Sequence, residues 1–111
     1  MAEIIVTSPA DIKGWISAGE AIVIDVREVP EYTYEHIPGS TLVPLSSFDA
    51  DKVPVPPEGK KLVIHCQSGV RCGVASQKLV EAGRNHPIYR MQGGIQGWKF
   101  AGGPVESGQK S

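Results

Sequence analysis

The sequence predicts an α/β fold: a mostly parallel five-stranded sheet flanked by helices on both faces. Three observations carry that expectation. Ala21 to Val26 and Lys61 to His65 are short runs of mainly apolar, largely β-branched residues, the composition of strands buried on both faces. Further short β-prone runs near Glu3, Thr41 and Ile88 alternate with segments of helical composition, the order that builds a parallel sheet. At 111 residues the chain is long enough for one hydrophobic core and too short for two.

Each element follows from local chemistry. Ser8 precedes Pro9, Ala10 and Asp11, so its hydroxyl can accept from free amides while Pro9 fills the first helical position. That helix runs to about Ala18, and Gly19 ends it. The strand from Ala21 meets its first charge at Asp25, its carboxyl end. Arg27 to Gly39 reads as a loop with a turn of helix around Tyr32 to His36, stopped by Pro38 and Gly39. Thr41 to Val43 is a short strand, and Pro44 to Asp49 a short helical or irregular piece. Asp51 to Lys60 carries Pro54, Pro56, Pro57 and Gly59 and reads as a connector. Arg71 to Ala82 is a helix with Cys72, Ala75, Ser76 and Leu79 on one face and Gly83 as its stop. Ile88 to Met91 is the last strand, and a short helix holding Trp98 follows Gly93 and Gly94. The domain is expected over residues 1–101, with 102–111, rich in Gly, Ser and Lys, as a frayed flexible tail.

The totals exclude several functions. A formal charge of −1 offers no field to attract nucleic acid or an anionic membrane. The amino terminus has Glu3 where a secretory signal would carry positive charge, and no apolar run reaches the roughly 18 residues of a membrane span. A cytoplasmic protein is therefore expected, and nothing in the sequence demands more than a monomer. The 2 cysteines are no disulfide framework, and the scattered histidines do not complete a zinc-ligand spacing around them. No metal and no cofactor are called for.

Both cysteines fall in His65-Cys66-Gln67-Ser68-Gly69-Val70-Arg71-Cys72, where a strand pattern turns into a helix pattern. In an open α/β sheet, ligands bind at the carboxyl ends of strands, and Cys66 and Asp25 both sit there. A loop entering a helix gathers backbone N–H groups into one concavity, and the helix dipole adds partial positive charge. A thiol placed so is stabilised as thiolate, with a pKa lowered to roughly 3.5–7.5. Gly69 permits a tight turn, Gln67 and Ser68 add small polar groups, and Arg71 adds a full charge for an anion. The blander reading makes Cys66 a small buried hydrophobe ending a strand; the Gln-Ser-Gly-Val-Arg that follows it argues for covalent chemistry on an anion.

In these features the chain resembles a single-domain rhodanese over nearly its whole length. The resemblance rests on Asp25-Val26-Arg27-Glu28, on His36-Ile37-Pro38-Gly39-Ser40, on the Cys66 to Arg71 loop and its helix, and on Gly93-Gly94-Ile95 with Trp98. It implies a rhodanese-like sandwich and a sulfurtransferase of the thiosulfate:cyanide type. Cys66 would take the outer sulfur of a donor such as thiosulfate, become a persulfide, and pass the sulfur to cyanide, a thiol or a protein acceptor. Gln67, Ser68, Gly69, Val70 and Arg71 would form the cradle around it. Phosphatases and arsenate reductases of the same fold separate Cys and Arg by five residues; here Gln67 to Val70 are only four, which fits a single sulfur better than a tetrahedral oxyanion. Glu35 and Ser40 depart from the family's usual small residue and Ala. The loop's single basic residue, where dedicated thiosulfate enzymes often add another, leaves the donor open.

The supporting residues carry alternatives. Asp25 and Arg27 match the family's Asp-x-Arg brace, or are a strand-end cap and an exposed ion pair; Glu28 could pair with Arg27. Arg71 either binds a sulfonate or lies along the first helical turn as a surface charge. His65 either lowers the pKa of the thiol or moves a proton, or, as expected because successive strand side chains alternate, points away from it; His36 and His86 are read as structural. Cys72 is either a buried packing thiol or a resolving cysteine that makes a dithiol redox enzyme of the arsenate reductase kind. A third class, a non-catalytic rhodanese-like interaction domain, is opposed by the intact Cys66.

Overall fold

The computed structural model describes residues 3–108, and the chain order within it is the alternating one that the sequence predicts. Strand β1 is Ile4–Thr7, followed by helix α1 at Pro9–Ser17, β2 at Ala21–Asp25, α2 at Val29–Tyr34 and β3 at Thr41–Leu42. Two 3-10 turns, Leu45–Ser47 and Ala50–Lys52, lead to β4 at Lys61–His65, α3 at Arg71–Glu81, β5 at Ile88–Met91 and α4 at Gly94–Phe100. The sheet order is β1-β5-β4-β2-β3, and every pairing is parallel. From β2 the chain steps outward to β3, while from β4 it steps the other way to β5. The crevice between β2 and β4 is thus the switch point where α/β sheets take their ligands. Asp25 pairs with His65 across it, so the two strand ends are level.

Alternation along the strands divides the core in two. Ile24, Leu62, Ile64 and Ile88 pack with Cys72, Ala75 and Leu79 of α3 and with Val43 and Val53. On the opposite face Val23, Val63 and Met91 pack with Ile12 of α1, Ile95 and Trp98 of α4, and Ile37. Each fully buried isoleucine contributes about 1.5–3 kcal/mol relative to exposure, enough to seat helices on both faces. Helix α1 begins as its sequence requires: Ser8 Oγ accepts from Asp11 N at 3.2 Å, with Pro9 in the first turn.

Three segments differ from the sequence expectation. Helix α2 starts at Val29 rather than near Tyr32 and ends before Glu35, because Glu28 caps it: Glu28 and Glu31 form a reciprocal capping box. Glutamate is outside the usual set of N-caps, and Glu28 spends its carboxylate on this cap and on Ser46 rather than on Arg27. The connector after Asp49 is more ordered than its prolines suggest. Arg84 Nη2 donates to Ala50 O at 2.7 Å and also to Val53 O, and Val53 is buried.

The third is the carboxyl-terminal segment, expected to fray from Gly102. Its described part is tied to the domain. Trp98 Nε1 donates to Pro104 O at 2.7 Å, Val105 packs beside the α1 and α4 core, and His36 and Glu106 exchange backbone hydrogen bonds of 2.8 and 2.9 Å. His36 is buried, with Nδ1 2.9 Å from Tyr32 O and Nε2 2.9 Å from Glu106 Oε2. Residues 109–111 of the expected tail lie outside the described residues. Among the described residues no helix is long and apolar enough to cross a membrane.

Candidate functional site

The Cys66 loop is built by three supports. Gly69 takes a φ of 105°, a value open to glycine and strained for other residues, and this turns the chain so that Gly69 N donates to Cys66 Sγ at 3.1 Å. Helix α3 then starts at Arg71 with no side-chain cap, leaving its first amides free for an anion. From below, α4 docks on the loop: Ile95 N donates to Cys66 O at 2.8 Å and Gln96 N to Gln67 O at 3.3 Å. Cys66 itself is only 1% exposed.

The thiol is prepared for ionisation. The Cys72 thiol beside it, helped by the backbone N–H groups of Cys72, Gly69 and Ser68, draws the Cys66 pKa from an ordinary 9.0 to about 5, against burial, which raises it. Cys72 moves the opposite way, its ionisation suppressed by the neighbouring Cys66 sulfur and by burial. Its Sγ lies 3.2 Å from Gly69 O, so its one S–H proton goes to that carbonyl or, when Cys66 is ionised, to the Cys66 sulfur, and Cys72 is both packed in the α3 core and turned to the site. Both thiols are free.

The remaining expected residues divide. The Gln67 carbonyl binds α4 and its Oε1 accepts from Arg27 Nη1 at 3.3 Å. Val70 is exposed and stands at the start of α3. Gly69 N donates to the sulfur, and the amides of Ser68 and Cys72 add to its stabilisation as thiolate, Cys72 lying one residue beyond the expected cradle of Gln67 to Arg71. Arg71 is neither a loose surface charge nor a free anion ligand. Its Nη1 and Nη2 donate to Glu31 Oε1 and Oε2 at 2.7 and 2.8 Å, and this Arg71 fork holds the Glu31 carboxyl down at about 2.

Asp25 and Arg27 are buried, not exposed. Arg27 Nε donates to both Asp25 oxygens at 3.0 and 3.1 Å and Nη2 to Oδ2 at 2.8 Å, while Arg27 N donates to Oδ1 at 2.9 Å. The guanidinium then reaches Glu35 O at 2.6 Å and the Gln67 side chain. It ties the β2 end to the Cys66 loop. His65 is fully buried, its Nε2 3.6 Å from Asp25 Oδ2 and its Nδ1 donating to Cys66 O at 3.3 Å. Burial lowers its pKa and favours the neutral ring; as a strand residue it alternates with Ile64 and lies on the sheet face opposite the thiol.

Sequence reasoning missed three participants. Arg90 of β5 donates Nη2 to Gly69 O at 2.8 Å, steadying the turn; a charge between Ile88 and Met91 was the available signal. Gly94, noted only as part of a motif, supports the loop from α4. Glu31 pairs with Arg71 across 40 positions, a distance no local pattern spans. Among the described residues no group of three or more His, Cys, Asp or Glu side chains could hold a metal ion.

A parallel sheet with a cysteine cradled between a central strand and the following helix defines a class of α/β domains with a strand-end thiol. The family model for the rhodanese-like domain matches residues 8–101, and the chain belongs to that family. It is 42% identical over 84 residues to an uncharacterized protein of Synechocystis, covering 76% of this chain and 46% of that one. It is 30% identical over 93 residues to a probable adenylyltransferase/sulfurtransferase of Mycobacterium tuberculosis, covering 82% of this chain and 24% of that protein. The chain thus spans less than half of either relative. The crystal structure of a thiosulfate sulfurtransferase from Pseudomonas aeruginosa superposes with a TM-score of 0.81 at 28% identity, over 96% of this chain and 21% of that one.

Proposed function

We propose that the protein is a sulfurtransferase that carries sulfane sulfur on Cys66, taking it from thiosulfate or another persulfide donor and passing it to a thiophilic acceptor such as cyanide, a thiol or a protein. The observation that carries this reading is the cradle: a strand-end thiol that accepts from Gly69 N at 3.1 Å and is further stabilised by the amides of Ser68 and Cys72, with four residues before Arg71. The cradle is small, suited to one sulfur atom.

Mechanism follows from the same groups. With its pKa near 5 Cys66 is a thiolate at neutral pH, the form that attacks sulfur. From thiosulfate it takes the outer sulfur, the S–S bond breaks with its electron pair on sulfite, and Cys66 carries a persulfide. Cyanide attacks the outer sulfur of that persulfide, leaves as thiocyanate and returns the thiolate. The amides that stabilise the thiolate also face a persulfide anion formed on it. A dithiol redox cycle is disfavoured, because burial and the neighbouring Cys66 sulfur keep Cys72 a thiol rather than an attacking thiolate.

Mass measurement tests the reading. Incubation with thiosulfate, or with a small alkyl persulfide, should add one sulfur, about 32 Da, lost on adding cyanide and absent from Cys66→Ala. No adduct with either donor would overturn it.

A further inference from the structure

The Arg71 guanidinium, the group that would meet an oxyanion at this loop, is already occupied. Both Nη atoms are bonded to Glu31 at 2.7 and 2.8 Å. The carboxylate is itself fixed, since Glu31 Oε1 also accepts from Glu28 N at 3.0 Å in the α2 capping box. The pair is only partly solvated, with side-chain exposures of 32% and 33%. The other guanidiniums at the loop face protein acceptors: Arg27 bonds Asp25, Gln67 and Glu35 O, and Arg90 bonds Gly69 O.

A sulfonate that approaches Arg71 must therefore displace a carboxylate already seated in the guanidinium fork, or stand beside it with like charge. A persulfide R–S–SH presents no oxyanion at its reacting end and meets neither obstacle. We propose that Glu31 is a specificity-determining residue: by closing the Arg71 fork it turns the Cys66 site away from thiosulfate and toward persulfides of thiols or proteins. This inference rests on the sulfur-transfer reading above. In the favoured step the Cys66 thiolate attacks the outer sulfur of R–S–SH, the S–S bond breaks, and R–S⁻ leaves with the bonding pair. The outer sulfur keeps its proton, so Cys66–S–SH forms with no external oxidant or reductant.

The test separates binding from turnover. In a Cys66→Ala background, which cannot react, thiosulfate binding is measured by calorimetry with and without Glu31→Gln. Glutamine keeps the acceptor that serves the α2 cap and removes the charge. Glu31→Gln should tighten thiosulfate binding at least about threefold, the scale of a well-formed, partly exposed ion pair. Adding Arg71→Gln should remove that gain, and thermal unfolding confirms that each variant is folded. Glu31→Ala supplies a second removal of charge should the glutamine variant fold poorly. With Cys66 present, the ratio of KM for thiosulfate to KM for 2-hydroxyethyl persulfide should fall by a similar factor. Equal thiosulfate affinity with and without the Glu31 charge, including no binding in either, overturns the proposal, as does a gain that survives Arg71→Gln. Failure of the sulfur-transfer reading is distinct, because it shows as an absent mass gain while the binding comparison still stands.

Discussion

Gly94 lies so close under the Cys66 loop that a β-carbon on it would overlap the Cys66 carbonyl oxygen and come within 2.6 Å of the Gln67 carbonyl. Its φ of 60° is also in the left-handed region, which costs other residues about 1–2 kcal/mol. Both constraints fall on backbone that cannot swing aside. Gly94→Ala should therefore lower stability by about 2 kcal/mol or more, a fall in Tm of roughly 4 °C per kcal/mol for a domain of this size. It should also weaken the Ile95 N to Cys66 O bond and raise the Cys66 pKa. Thermal unfolding and thiolate absorbance measure the two effects; an unchanged Cys66 titration would show that α4 does not hold the loop.

The Cys66 thiolate is stabilised first by Cys72, which separates two substitutions at position 72. Cys72→Ala removes the donor and should raise the Cys66 pKa from about 5. Cys72→Ser retains an O–H donor and should raise it less. The stability sign follows by linkage: a thiol whose folded pKa lies below its unfolded value stabilises the fold most above the unfolded pKa, and loses that contribution as pH falls toward the folded one. Comparison of the parent with Cys66→Ala between pH 5 and pH 9 should show a stability difference that grows with pH. A flat difference would mean that the thiolate gains nothing from its surroundings.

Asp25 and Arg27 form a buried pair whose members also hold Glu35 O and Gln67. Removing one charge leaves the other desolvated and unpaired, a loss of about 3–5 kcal/mol. Asp25→Asn should show this by denaturant unfolding. Arg27→Lys should also be costly, since an ammonium cannot reproduce the guanidinium's fork to the carboxylate and its reach to Gln67. Wild-type stability in either variant would return the pair to the status of an ordinary strand-end contact.

Much of this arrangement is legible in the sequence where the cause is local. The apolar runs of β2 and β4 are buried on both faces because helices cover the sheet, and Ser8 with Pro9 marks the start of α1 as their chemistry dictates. The place of Cys66, at the end of β4 and ahead of the turn at Gly69, is readable because the apolar strand run and the glycine are local signals. What escapes is long-range. Arg71 looks like a free anion ligand until α2 brings Glu31 to it, and Asp25 looks like a surface cap until the crevice closes over Arg27. The helix α2 is itself hidden by the use of glutamate as its cap. The segment after Gly102 has a disordered composition, and its seating depends on Trp98 and His36, partners that only the folded domain presents.

That seating makes the last prediction. Gly103 packs against the Trp98 indole so closely that a β-carbon there would overlap the ring, while the indole Nε1 is bonded to Pro104 O at 2.7 Å. Gly103→Ala must push either the ring or the segment aside, an overpacking cost of about 1–3 kcal/mol. Lifting the segment also uncovers the indole N–H and the His36 ring, whose Nε2 lies 2.9 Å from Glu106 Oε2. Gly103→Ala should thus lower Tm and shift tryptophan emission to longer wavelength as Trp98, now 1% exposed, meets water. Glu106→Gln, which keeps the backbone bridge to His36 and removes only the carboxylate charge, should have a smaller effect on both readings. If Gly103→Ala leaves emission and Tm unchanged, the segment does not cover Trp98 in solution and frays as its composition suggests.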